Sequence, residues 1–134
     1  MADFNEYKFE QELCESLESQ GWLYSKSDVG FDSELALYPA DVLEWLSNTQ
    51  GQELAKVIKV DDPDTSRARA EKALVQRLAK SLDLPLSNGG GALNVLRKGF
   101  KYGSARFEMC QFRPADSLNA ATLEKYSKVR LRVM

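Results

Sequence analysis

Apolar residues recur at helical spacing near the start of the chain. Phe9, Leu13 and Leu17 lie four residues apart, and acidic side chains surround them. Apolar residues at this interval share one face of an α-helix. Gly21 follows, at a point where helices commonly end on a residue with positive φ. The pattern predicts an acidic amphipathic helix over residues 3–20.

Start and stop signals predict further helices in the middle of the chain. Pro39 suits the first turn of a helix, and an apolar stripe at helical spacing follows it. The run Asp62-Pro63-Asp64 supplies a cap, a proline pre-set for the first turn and a carboxylate near the positive end of the helix dipole. Apolar residues at helical spacing continue this second helix to Leu84, and Pro85 stops it.

Short alternating segments predict the strands. Residues 22–24 are aromatic and apolar, which favours a short strand. Residues 91–114 are interpreted as two strands that share one cationic face, with a hairpin turn at Gly103-Ser104. A short helix is expected around residues 120–126. It is followed by a strand over residues 129–134, in which apolar residues alternate with arginines.

A glycine-rich loop, Ser87-Asn88-Gly89-Gly90-Gly91, precedes the basic segment. Loops of this kind can cradle phosphates, but this one lacks the GxxxxGK[ST] motif, and no helix is predicted to begin after it. We interpret it as a flexible connection.

These elements indicate an α+β fold, with amphipathic helices packed on a small, mainly antiparallel sheet. The 134 residues suit one domain with its own core, spanning residues 1–134. Within it we expect an acidic helical half over about residues 1–84 and a basic strand-rich half over about residues 91–134. The apolar strand at the end of the sequence leads us to expect a chain shortened from a longer ancestor.

Charge is divided along the chain in a similar way. Residues 1–66 contain 4 Lys/Arg and 15 Asp/Glu, a formal charge of −11. Residues 67–134 contain 14 Lys/Arg and 5 Asp/Glu, a formal charge of +9. The net charge of −2 therefore hides a basic half, and concentrated positive charge points to an anionic partner.

Composition excludes several kinds of site. The chain has no His, and its two Cys, Cys14 and Cys110, are isolated, so it has neither a Cys/His zinc motif nor a His-based triad. Free thiols fit a reducing compartment best. The N-terminus does not have the pattern of a signal peptide, and no window has the ~20 apolar residues of a membrane span. We expect a cytoplasmic protein with no membrane partner.

Basic and aromatic residues are interleaved in the last third of the chain, which is the strongest functional signal. Phosphate binding needs several cations on one surface, and exposed rings can stack on unpaired bases. The candidate DNA-binding residues are Arg97, Lys98, Lys101, Arg106, Arg113, Arg130 and Arg132, together with Lys128. The interleaved aromatic residues are Phe100, Tyr102, Phe107 and Phe112. Two alternatives stay open: a solvated strand face, and a surface for an acidic protein.

Glu6 and Glu10 lie one helical turn apart, where two carboxylates could help to hold a divalent cation. On these residues alone, an ordinary solvated helix face is the favoured interpretation. The run Glu6-Tyr7-Lys8 has the spacing of a nuclease Glu-x-Lys motif, but it lies at a predicted helix start with no strand Asp before it. We interpret that match as a coincidence.

Several short segments together resemble the N-terminal region of restriction (R) subunits of type I restriction-modification enzymes. They are Lys8-Phe9-Glu10, Gly21-Trp22, residues 31–50, residues 96–101 and Gln111-Phe112-Arg113-Pro114-Ala115. The resemblance covers nearly the whole chain. It implies the beginning of a large ATP-dependent, DNA-translocating endonuclease subunit, whose N-terminal lobe has a restriction-endonuclease-like α/β fold. DNA and the other subunits of the complex are the implied partners. Mg²⁺ and ATP are implied for the full-length family, with no cofactor in this chain.

The resemblance also implies which catalytic residues this chain lacks. The family cuts DNA with a strand Asp and a Glu-x-Lys that hold Mg²⁺ beside the scissile phosphate, just beyond the strand predicted at residues 129–134. Glu6 or Glu10 matches the first-helix Glu of the family and would be an auxiliary carboxylate. We therefore expect a segment that contacts DNA or partner subunits without cutting. The alternative is a stand-alone binding protein that docks onto or antagonises a restriction complex or another partner.

Overall fold

The computed structural model describes residues 2–59, 63–115 and 118–133, with side chains from residue 5 onward. Helices and short strands together give the α+β composition that the sequence predicts. The chain divides into two compact units, residues 1–29 with 130–134 and residues 30–129. Among the described residues, no helix combines the length and apolar character that crossing a membrane requires.

In its described residues, the first unit has one long helix and a pair of short strands. Helix α1 (Ala2–Ser19) is followed by Gly21, whose φ of +99° confirms the predicted helix end. Strand β1 (Leu23–Tyr24) then pairs in parallel with strand β4 (Arg132–Val133), near the end of the chain. The Arg132 guanidinium also donates a hydrogen bond to Ser25 Oγ at 2.5 Å. These contacts join the two ends of the sequence into one unit.

The predicted apolar stripe of α1 is only partly covered. Leu17 is half-buried, whereas Phe9 and Leu13 are 65% and 49% exposed. The helix is therefore amphipathic in sequence, but its apolar face stays largely open to solvent.

The final strand is shorter than predicted. Helix α6 (Ala120–Ser127) extends past residue 126, and the Lys128 and Val129 amides donate to the carbonyls of Lys125 and Tyr126. The turn that closes the helix thus uses the Val129 amide that a strand would need. The predicted strand over residues 129–134 is reduced to β4, and Met134 lies outside the described residues.

In its described residues, the second unit has four α-helices and one short 3-10 helix (Leu86–Asn88) before its hairpin. Helix α2 (Pro39–Thr49) has Pro39 in its first turn, as predicted, and α3 (Gly51–Leu54) follows directly. Helix α4 (Asp64–Asp83) begins one residue after Pro63, and Asp62, the predicted cap, lies outside the described residues. Pro85 follows α4 as predicted, and the short helix α5 (Ala92–Lys98) comes after the glycine-rich loop.

The segment at residues 92–98 is a helix and not the predicted strand. The Val95 amide donates to the Gly91 carbonyl at 3.1 Å, and the Gly99 amide donates to the Val95 carbonyl at 2.8 Å, which is the α-helical interval. Val95 is buried while Leu93 and Leu96 are exposed, so burial does not alternate. Leu, Arg and Lys all favour helix. The expectation that no helix begins after the glycine-rich loop is therefore wrong.

The predicted hairpin is confirmed. Strands β2 (Phe100–Tyr102) and β3 (Ala105–Phe107) pair antiparallel around Gly103-Ser104. The described strands form two separate pairs, the parallel β1–β4 and this hairpin, instead of one mainly antiparallel sheet. Part of the predicted first basic strand is α5, so that strand is shortened to β2, and β1 pairs with β4 and not with the hairpin.

Helices α2 and α4 and the hairpin supply the core of the second unit. Its largest fully buried side chains are Leu46, Leu74, Val75, Leu78 and Phe107. Burying an apolar side chain of this size stabilises a fold by about 1.5–3 kcal/mol relative to leaving it exposed. The core therefore holds α4 against the hairpin, where α4 packs on β2.

A side-chain amide joins α2 to the residue that follows β3. Gln50 Nε2 donates to the Glu108 carbonyl at 2.7 Å, and the Glu108 amide donates to Gln50 Oε1 at 2.6 Å. The Trp45 indole N–H donates to the same carbonyl at 2.8 Å. These bonds tie the end of the hairpin to the α2–α3 junction.

Gln50→Ala is expected to lower the free energy of unfolding of this unit by about 1–2 kcal/mol, because the Glu108 amide loses its protein partner and the Glu108 carbonyl keeps only the Trp45 indole. Gln52→Ala, at an exposed position on α3, is the control and should change it by less than about 0.5 kcal/mol. Urea denaturation measures both. Equal effects from the two variants would contradict the role assigned to Gln50.

Candidate nucleic-acid interface

A cationic cleft of about 400 Å³ opens between α4, α5 and the β2–β3 hairpin. Four of the residues that line it are basic, namely Arg77, Lys98, Lys101 and Arg106. Ser81 and Asn88 add polar groups, and no acidic residue is among those that line it in the described part of the chain. The arrangement suits a small, strongly anionic group.

The hairpin register brings two of these cations together. Lys101 and Arg106 are direct cross-strand partners, and both are exposed, whereas their neighbours Phe100 and Phe107 are buried. Strand alternation thus sends the rings to the core and the charges to the outer face. Like charges that lie directly opposite each other destabilise a strand pair. A bound anion would offset this repulsion.

Hydrogen bonds to backbone carbonyls hold the two arginines at the cleft. Arg77 Nε, on α4, donates to the Lys101 carbonyl at 3.2 Å, and Arg106 Nη2 donates to the Lys98 carbonyl at 3.3 Å. The ion pairs found among the described residues involve none of the four basic residues. Carbonyls orient a guanidinium without neutralising it, so the positive charge stays available to a ligand.

The structure brings together only some of the predicted DNA-binding residues. Lys98, Lys101 and Arg106 line the cleft, whereas Arg97 is an exposed neighbour on α5 and Arg113 is exposed beyond β3. Lys128 forms an ion pair with Glu124 at 3.6 Å. Arg130 and Arg132 belong to the first unit.

Arg77 is the cleft residue that sequence reasoning missed. It lies in the middle of α4, outside the basic segment, and reaches the cleft because α4 packs against α5 and β2. Its helical position places it one turn before Ser81, which also lines the cleft. This spacing was the only local signal available, and it did not indicate the hairpin as a neighbour.

Two of the predicted stacking residues are core residues. Phe107 is 0% exposed and Phe100 is 5% exposed, and their ring centroids lie 5.4 Å apart. Rings packed in this way cannot stack on a base, so the interpretation of Phe100 and Phe107 as stacking residues is wrong. Tyr102 is half-buried against the core, while Phe112 is 57% exposed. The described surface therefore suits binding of phosphate by basic side chains better than stacking of bases on aromatic rings.

Glu53 brings one carboxylate to the neighbourhood of the hairpin. It lies on α3, which packs against β3, and the Lys56 ammonium lies 2.7 Å from its carboxylate. Hydrogen bonding by Lys56 lowers the pKa of Glu53, with a smaller contribution from the backbone of Arg106. Glu53 is thus a paired anion at neutral pH, with Lys56 as its partner.

The two candidate auxiliary carboxylates lie on the surface of the first helix. Glu6 and Glu10 are exposed on α1, and in the ranges 2–59, 63–115 and 118–133 no three acidic or Cys side chains gather as ligands.

Comparisons with known proteins add no relative. No family model, no curated protein and no solved structure matches this chain. The case for a function therefore depends on the cleft and on the sequence motifs.

Proposed function

We propose that this chain is a non-cutting nucleic-acid-binding module that grips DNA phosphates in the cationic cleft. In this proposal it corresponds to the N-terminal nuclease-lobe segment of a type I restriction R subunit, with a restriction-endonuclease-like fold. The single observation that carries the proposal is the convergence of Arg77, Lys98, Lys101 and Arg106 on one cleft lined by no carboxylate in the described residues.

The chemistry of the four side chains supports phosphate as the ligand. Guanidinium groups match the geometry of phosphate oxygens, and ammonium groups act as compact point charges. Each phosphate that is neutralised releases condensed counterions, which favours binding at low salt. Contacts of this kind hold a nucleic acid without reading its bases. We therefore propose binding that depends on salt and is indifferent to sequence.

We propose that the chain does not cut DNA because it lacks the catalytic motifs of the family. The sequence lacks the strand Asp and the Glu-x-Lys that the family uses, and Glu6 and Glu10 are two exposed carboxylates on α1. Two such groups on one helix face do not amount to a nuclease metal site.

A second candidate is favoured by the open apolar face of α1. Phe9 and Leu13 lie one helical turn apart and are both exposed, and a contiguous exposed apolar patch is typical of a protein-binding site. In this alternative the chain is a stand-alone binding protein that docks onto a restriction complex or another partner.

The decisive experiment is a salt titration of binding to duplex DNA in monovalent salt. A cleft of this size holds about one or two phosphates, so we expect log K to fall with log salt at a slope of about −0.9 to −1.8. The double variant Lys98→Gln with Lys101→Gln should bind more weakly and with a slope nearer to zero. A parallel incubation with Mg²⁺ should leave the DNA intact.

The matched control removes the same charge outside the cleft. Lys59→Gln with Lys72→Gln alters two exposed lysines, neither of which lines the cleft, and should keep the wild-type slope. Equal slopes for the two double variants would rule out the cleft as the DNA site. Failure of the wild type to bind DNA at low salt would overturn the proposed function and favour the protein-docking alternative.

A further inference from the structure

We infer that the cationic cleft accepts a terminal phosphate monoester at a nucleic-acid end in preference to an internal phosphodiester. This inference rests on the proposed function and names the part of the nucleic acid that occupies the cleft. Three features carry it: the size of the cleft, the convergence of its charges and the lack of exposed rings from Phe100 and Phe107 in its walls.

Size limits what can enter. A volume of about 400 Å³ lies near the lower end of the range of small-ligand pockets, about 300–1,000 Å³. The cleft therefore holds a group of about nucleotide size and not a length of duplex. The end of a nucleic-acid strand can place its terminal phosphate inside such a cleft. An internal phosphate cannot enter in the same way, because the strand continues on both sides of it.

Charge favours the more anionic group. Near neutral pH a phosphate monoester carries a charge of about −1.5 to −2 and has three strong acceptor oxygens, whereas an internal phosphodiester carries one negative charge. Four cations from three different directions, α4, α5 and the hairpin, match a ligand with charge and acceptors concentrated in one group. A dianion should stabilise the cross-strand pair Lys101 and Arg106 most, because the two positive charges repel each other when no anion is bound.

The walls offer little to a base. Phe100 contributes to the lining but is a core side chain packed on Phe107. Gly89 and Gly99 line the cleft without side chains. Recognition by this surface is therefore directed to the phosphate, and the identity of the terminal base should have little effect.

The test compares one duplex with 5′-phosphate ends, the same duplex with 5′-hydroxyl ends and a covalently closed circle that contains the same sequence. At a fixed monovalent salt concentration, the wild type should bind the phosphorylated duplex roughly five-fold or more tightly than either of the other two, because charge-assisted hydrogen bonds strengthen with ligand charge. The Lys98→Gln, Lys101→Gln variant should lose this difference, and the Lys59→Gln, Lys72→Gln variant should keep it.

A competition experiment separates a nucleic-acid end from a free nucleotide. The exposed cation Arg97, beside Lys98 on α5, can contact a longer DNA but is out of reach of a mononucleotide held in the cleft. Thymidine 5′-monophosphate should therefore displace the phosphorylated duplex only at a concentration well above that of the DNA ends, and thymidine should not displace it. Displacement at an equal concentration would overturn the assignment to DNA ends. Equal affinity for the circle and the phosphorylated duplex would also overturn it while leaving the proposed function intact. Failure of all three DNAs to bind would overturn both.

Discussion

Gly99→Ala is expected to lower the free energy of unfolding of the second unit by about 3–5 kcal/mol, from overpacking together with a left-handed backbone. Gly99 has a φ of +75°, and a Cβ at this position would lie 1.9 Å from the Phe107 carbonyl oxygen and 2.9 Å from its carbon. The obstruction is backbone, so no side-chain rotation can relieve it. The end of α5 must move away from β3, and the cleft between them is lost.

Gly103→Ala is the matched control for this substitution. Gly103 also has positive φ, at +58°, but nothing lies within 4 Å of the position that its Cβ would occupy. The cost there should be limited to the backbone term, about 1–2 kcal/mol. Comparison of the two variants therefore isolates the collision with Phe107 from the conformational preference of glycine.

Urea denaturation in a Trp22→Phe background measures both glycine variants. Trp22 belongs to the first unit and Trp45 to the second, so the remaining tryptophan reports the second unit alone. The Trp45 indole is hydrogen-bonded to Glu108, next to the hairpin, and its emission should follow the loss of that contact. Similar urea midpoints for Gly99→Ala and Gly103→Ala would contradict the close approach of the Gly99 backbone to Phe107.

Phe107→Ala is the second substitution with a large expected effect, a loss of about 3–5 kcal/mol. The ring is fully buried, and it packs on Phe100 inside the hairpin that carries Lys101 and Arg106. Its removal leaves a cavity directly beneath these two cations. Phe107 does not line the cleft and lies on the opposite face of the strand from Arg106, so we expect DNA affinity to fall only as far as the folded fraction falls.

Phe112→Ala is the control that separates a core role from base stacking. Phe112 is 57% exposed, and its truncation should change the free energy of unfolding by less than about 0.5 kcal/mol. Duplex affinity should also be unchanged, because the cleft binds phosphate. A drop in affinity for single-stranded DNA with Phe112→Ala at full stability would point to stacking and contradict the phosphate-only account.

The sequence was most informative where local signals and packing agree. The start of α2 at Pro39, the end of α1 near Gly21 and the hairpin turn at Gly103-Ser104 all depend on backbone preferences of single residues. Such preferences act within a few residues, so they can be read without knowing the fold.

The segments that were predicted wrongly are those whose structure depends on contacts with residues far away in the sequence. Residues 92–98 alternate imperfectly and also fit a helix, and burial of Val95 against the rest of the core favours the helix. The partner of β1 lies more than a hundred residues away in β4, which no local pattern could indicate. The place of Arg77 in the cleft could not be predicted for the same reason, because it depends on the tertiary packing of α4 on β2.

The amide of Gln50 has a consequence for association between molecules. The first residue after a strand normally leaves an N–H and a C=O available for pairing with another chain, and such open edges promote aggregation. Here both groups of Glu108 are taken by one side chain, and the Trp45 indole shares the carbonyl. Gln50 thus pairs with the backbone of Glu108 as a neighbouring strand would. The backbone of Glu108 is therefore not available to pair with the hairpin of another molecule.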